Sequence, residues 1–177
     1  MEKEILLKRF RTAIANLDEQ EIIACIERGV GLNHVDEYGY TAFTDLAFES
    51  KLEFSYTNLD IKERADLMMA EDLKKIELMK FLIRHGADIN VFGEGGYTAL
   101  DSAAGQAKVE VVEFLLENGA NPNFNFFSAT EPGCENVKSS ILHTALSDVA
   151  AHFHEDVAEK FEKIVALLEK HGAILYR

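Results

Sequence analysis

Tryptophan is absent from this 177-residue chain, cysteine and proline occur twice each, and 18 basic side chains face 31 acidic ones. Two cysteines make neither a disulfide framework nor a C-x-x-C zinc ligand set. Cys25 shares a helical apolar face with Ile22 and Ile26, so a buried thiol is expected there. No apolar run approaches the roughly 20 residues that cross a bilayer. The opening MEKEILLKRF is too interrupted by charge for a secretory signal, so the expected location is cytoplasmic, with no membrane partner. A formal net charge of −13 repels phosphate and anionic headgroups, which argues against nucleic acid and favours a basic protein partner. Acidity of this order also keeps a protein soluble, and that plainer reading stands beside the first.

What the chain does have is repetition. Gly29, Gly86, Gly119 and Gly172 each close an apolar helical stretch, in IACIERGVGLN, MKFLIRHGADIN, VEFLLENGANPN and VALLEKHGAILY. Thr41 follows Gly29 by twelve residues and Thr98 follows Gly86 by twelve, while Gly86 and Gly119 lie 33 apart. In YTALDSAAGQAKVEVVEFLLENGANPN, Leu100, Ala103 and Ala104 mark a short helix and Val109, Val111, Val112, Leu115 and Leu116 a second. A glycine takes positive φ at little cost and ends the second helix. The preceding copy repeats the pattern with Phe43, Leu46 and Ala47, then Ile76, Leu78, Met79, Leu82 and Ile83. Its Thr-to-Gly spacing is 45 residues (41 to 86) rather than 21 (98 to 119), which places an insert near 51–71. Leu59, Leu67, Met68 and Met69 in that insert predict a lengthened or additional helix, with a Met-bearing contact face as an alternative.

A first copy lies upstream, with Phe10, Ala13, Ile14 and Leu17 on one helix and Ile22, Cys25 and Ile26 on the next; exposed Lys8, Arg9 and Arg11 suit a polar N-terminal cap. The fourth copy is read as starting at Thr144, 28 residues before Gly172, with Glu169 on an outer, unstacked face. Between Gly119 and Thr144 a lengthened finger carries Phe124, Phe126, Phe127 and both prolines. Loops of this length are often functional. The phenylalanines would clamp a partner or fold back over the stack.

This grammar resembles the ankyrin-repeat family, whose turn reads D-x-x-G-x-T-P-L-H-x-A-A. Asp36, Gly39, Thr41 and Ala47 match it in one copy, and Gly96, Thr98, Leu100, Ala103 and Ala104 in another. The proline is replaced by Ala42, Ala99 and Ala145, and the histidine by Thr44, Asp101 and Ser147. The resemblance implies an all-α ankyrin-repeat solenoid over 1–177, with copies near 1–34, 35–91, 92–124 and 139–177 and an extended finger at 125–138.

It also implies that partners bind a concave face made of the turns and the first helices. By position that face takes Glu37, Tyr38, Tyr40, Asp45, Phe48 and Glu49 from one copy, then Glu94, Tyr97, Asp101, Gly105 and Gln106 from the next. His143, Asp148, Ala151 and His152 come from the last. The aromatics resemble binding hot spots, or else brace the turns. Segments 36–50, 86–107 and 139–152 hold eight acids and no Lys or Arg, which predicts a negative hollow that attracts a basic surface.

Other chemistry is poorly supported. Cys134 and His143 would be a nucleophile and base, but Cys134 stands in a loop with nothing in view to lower its pKa. His152 and His154 point about 200° apart on a helix, unlike paired metal ligands. GEGG at 93–96 fills a repeat turn, not a phosphate loop. The expectation is therefore a non-catalytic protein-binding module without metal or cofactor, whose acidic face receives a basic protein. Inhibition of a cationic toxin, in the manner of acidic immunity proteins, is a narrower version. An enzyme using Cys134 and His143, or self-assembly through the finger or the insert, are the alternatives from other classes.

Overall fold

The computed structural model describes residues 2–36, 38–48, 60–92, 97–123, 126–127, 138–151 and 155–175. Among these residues eight helices form four contacting pairs: α1 (Glu2–Asn16) with α2 (Glu19–Glu27), α3 (Ala42–Ala47) with α4 (Ile61–Arg84), α5 (Ala99–Gly105) with α6 (Val109–Glu117), and α7 (Ile141–Ala151) with α8 (Glu155–Lys170). Two-residue strands β1 (Phe126–Phe127) and β2 (Lys138–Ser139) pair antiparallel between the third and fourth pairs. The first helices stack as α1, α3, α5, α7, and α4, α6 and α8 stack behind them. The core is one continuous seam, from Phe10 and Ile14 through Phe43, Leu46, Met79 and Leu82 to Leu100, Leu115, Ile164 and Leu168.

Local chemistry explains where these helices begin and end. Thr41 and Thr98 close capping boxes: each hydroxyl accepts from the backbone N–H three residues on, and the Thr44 and Asp101 side chains accept in return. At the far end of each pair, Gly29, Gly86, Gly119 and Gly172 have φ between 79 and 91°. That conformation lets the following residue reach back to a free carbonyl, as Ala87 N does to Leu82 O at 3.0 Å and Ala120 N to Leu115 O at 2.9 Å.

Asparagines four residues beyond three of these glycines tie each pair to the next. Asn33 Oδ1 accepts from Asp88 N (2.8 Å) and Asn90 Oδ1 from Asn121 N (2.8 Å), while Asn90 Nδ2 donates to Gly119 O (3.1 Å). Asn123 repeats the double contact with Ile174 N (2.7 Å) and Gly172 O (2.8 Å).

One expectation changes and another is narrowed. The fourth pair does not begin at Thr144, which lies inside α7. Ser140 stands at the helix start, its Oγ accepting from His143 N (3.1 Å) and its carbonyl from Thr144 N (3.1 Å). Serine caps as well as threonine, so Ser140, Ile141, Leu142 and His143 take the places of Thr98, Ala99, Leu100 and Asp101. The family's histidine is thus His143, not a position lost to Ser147. The insert, for its part, extends a helix rather than adding one among the described residues. α4 has 24 residues against nine in α2 and α6, or about 36 Å against about 13 Å at 1.5 Å per residue. Its first turn is fixed by a capping box between Asp60 and Glu63. α4 therefore runs far past α2 and makes almost no contact with it.

Candidate functional site

The side of the stack that carries α3, α5 and their preceding turns holds most of the residues singled out from sequence. In the turn before α3, Asp36 Oδ1 accepts from Tyr38 N (2.9 Å) and Tyr40 N (2.7 Å), and Gly39 sits at φ 81°. This tight Asp-centred loop pushes its tyrosines outward: Tyr38 is 75% exposed and Tyr40 40%. Phe48, at the other end of α3, has its ring centroid 6.2 Å from that of Tyr40. One repeat on, Tyr97 occupies the same place before its capping threonine as Tyr40 does, and is 54% exposed. Gln106 is exposed at the end of α5, and His143 is exposed in the first turn of α7.

The acids are arranged differently from the expectation of a wall free of cations. Arg11, from α1, reaches between the two described acids of the 36–50 segment. Its Nη1 lies 2.6 Å from Asp36 and Nη2 2.7 Å from Asp45, and Nη1 also donates to Tyr40 O at 3.1 Å. One guanidinium thus neutralises half of that pair and fixes the loop. Arg11 is no solvent-facing cap residue. Burial nonetheless pushes the Asp45 carboxyl above its usual range, with Arg11 opposing. Asp101 is turned into its own helix start, its Oδ2 accepting from Thr98 N (2.9 Å) and Thr98 Oγ1 (2.6 Å). Burial raises its pKa too, against those bonds. Both carboxylates serve the architecture before any partner arrives.

Glu37, Glu49, Glu94, His152, Phe124 and Cys134 lie outside the described residues; Phe126 and Phe127 form β1, and Asp148 lies in α7. Cys25 is buried, and burial, then the adjacent Glu21, raises its thiol pKa, the opposite of what a nucleophile needs. Among the described residues no three His, Cys, Asp or Glu side chains converge as a metal site, and no helix is long and apolar enough to cross a membrane.

Sequence reasoning missed a buried ionic cluster behind Phe48. Lys108 Nζ donates to Phe48 O (2.7 Å) and lies 3.2 Å from Asp72; Lys75 pairs with Glu71 (2.9 Å) and reaches the same carbonyl at 3.4 Å. Burial lowers the Lys108 pKa, with Asp72 opposing. A signal did exist: Lys108 starts α6 without capping it, at the helix end that disfavours a cation, where the first copy has the capping Asp18.

Residues 52–125 match the family model for ankyrin repeats (3 copies). A 51-residue stretch is 45% identical to the serine/threonine-protein kinase TNNI3K of Mus musculus, and equally to that of Rattus norvegicus; it covers 28% of this chain and 6% of each kinase. So small a share carries the repeat and not the kinase. Ankyrin repeats generally mediate contacts between proteins and are typically non-catalytic. With four helix pairs, glycine-terminated second helices and first helices capped by Thr41, Thr98 and Ser140, the described fold is that of an all-α ankyrin-repeat solenoid, and residues 52–125 are similar to that family in sequence.

Proposed function

We propose that this chain is a non-catalytic protein-binding module whose turn-and-first-helix face receives a basic protein surface. The observation that carries this is the row of exposed aromatics Tyr38, Tyr40, Phe48 and Tyr97, with Tyr40 and Tyr97 at the same place in successive repeats. Large amphipathic rings on a rigid support give contact area at little entropic cost and stack on cationic side chains. The net charge of −13 supplies long-range attraction. Because Asp36, Asp45 and Asp101 are already engaged, the contact itself falls to the aromatics, with Gln106, His143 and the sequence-placed Glu37, Glu49, Glu94, Asp148 and His152 around them. Cytoplasmic location is part of the same reading, as is masking of a cationic toxin as its narrowest form.

The test compares wild type with the Tyr40→Ser, Tyr97→Ser double variant as bait in extracts of the source cell, at about 0.05 M and about 0.5 M salt. A partner that is basic, weakened by salt and lost by the double variant supports the reading. An acidic or salt-indifferent partner, or one retained by the double variant, refutes it.

A further inference from the structure

The overhanging half of α4 borders an open groove. About 630 Å³ of it lies between Leu67, Ala70 and Lys74 on α4 and Ile14, Leu17 and Phe48 opposite. A further 490 Å³ lies between Leu73 and Phe81 of α4 and Leu17 with Glu19. Both parts share Leu17 and Lys74, so they run together, and they exist because α2 is too short to cover α4. Leu67 is 37% exposed, and Met69 and Leu73 are each 53% exposed.

The helix edge beside this groove is self-complementary. Counting outward from Ala70, Leu67 is balanced by Leu73 and Asp66 by Lys74. At 100° per residue these five share a stripe roughly 120° wide. Asp66 and Lys74 are exposed, and neither has a hydrogen-bond or ion-pair partner among the described residues. Beside this stripe, and lining the same groove, Glu71 and Lys75 are buried and paired within the chain.

We propose that α4 is the interface of a two-fold homodimer, with the α4 of a second copy lying antiparallel along this groove and crossing at Ala70. A dyad at Ala70 brings Leu67 to the height of the partner's Leu73 and Asp66 to the height of the partner's Lys74, within reach of these long side chains across the seam, each pairing occurring twice, as an isologous interface requires. The small Ala70 at the crossing lets the axes approach closely. Glu63 falls opposite the partner's Glu77 in this register, but Glu63 is turned back to Asp60 N (3.3 Å) and Glu77 is held by Lys80 (2.7 Å). Opposite charges at mirror positions fit a second copy of the same helix, whereas an unrelated partner has no need of them.

The test is the mass of the full chain in solution, by sedimentation or light scattering over a concentration series. Wild type is expected at twice the 19.8 kDa of one chain. Asp66→Lys or Lys74→Asp alone sets like charges together twice and weakens association about tenfold or more. The double variant Asp66→Lys, Lys74→Asp restores the pairs with exchanged sign and recovers the dimer. Leu73→Lys, at a site exposed in the single chain, dissociates the dimer with unchanged helicity by circular dichroism. A wild type that stays monomeric throughout the series overturns the proposal, as do charge-reversed variants with unaltered mass or a double variant that fails to recover.

Discussion

Asn90 joins the second helix pair to the third, and replacing it by alanine tests how that junction is held. Asn90→Ala removes two bonds at once, the one accepted from Asn121 N at 2.8 Å and the one donated to Gly119 O at 3.1 Å. Both partners lie near solvent and can turn to water, so the loss is the net worth of two hydrogen bonds, about 2 kcal/mol. Asn33→Ala removes one such bond, to Asp88 N, and is expected to cost about half as much. For a chain of this size, 2 kcal/mol lowers Tm by about 4–8 °C. Position matters as well as count. In a stack where each unit touches only its neighbours, a weakened middle junction lets the halves unfold separately, so the urea transition of Asn90→Ala broadens and its m-value falls. Asn123→Ala loses as many bonds but frees only the last pair. Equilibrium urea unfolding of the three variants decides the matter. Asn90→Ala within about 0.5 kcal/mol of wild type, or no costlier than Asn33→Ala, would refute the reasoning.

Arg11→Met leaves Asp36 and Asp45 facing each other without their shared cation, and is expected to cost about 2 kcal/mol by urea unfolding; Arg11→Lys, unable to span both carboxylates, recovers less than half. Lys108→Met strands Asp72 and is expected to cost about 3 kcal/mol, with the double variant Lys108→Met, Asp72→Leu regaining most of it in a double-mutant cycle. Gly119→Ala has open space for the added methyl, so its expected cost of about 1 kcal/mol is backbone strain at φ 91° alone. Burial raises the Asp101 pKa in the fold above its ordinary value of 3.8. Between 3.8 and that raised value the folded chain therefore binds the extra proton, so wild type gains stability relative to Asp101→Asn as pH falls through this window and loses that gain as pH rises through the folded pKa. Thermal melts of both proteins from pH 3 to 7 measure that difference, and parallel profiles would count against it.

The elements that were legible in the sequence are those fixed by local chemistry. A glycine that must adopt positive φ, a threonine that must cap, and apolar residues three and four apart leave their marks within a dozen positions. The start of α7 was misread because Thr144 stands before Ala145 as Thr98 stands before Ala99, whereas the true cap is the less conspicuous Ser140. Arg11 and Lys108 were illegible for a different reason. Their partners lie 34 and 60 residues away, and a repeat period says which helices are neighbours without saying which long side chains cross between them. The same gap explains why segments poor in Lys and Arg did not amount to a cation-free surface: Arg11 is supplied by α1, outside them all. Exposed Tyr40 and Tyr97 could be placed from sequence because they adjoin the capping threonines, which set their position in the turn.

Lys108 also limits how freely this molecule can be redesigned. Copying the cap of the first unit onto the third would write Lys108→Asp, after Asp18, and would give α6 the cap it lacks. That same edit would set two carboxylates against each other at Asp72 and release the carbonyl at the end of α3. Transplanting a cap from one unit to another should fail at this residue, because what looks like a blemish in the third unit is a fitting for the second.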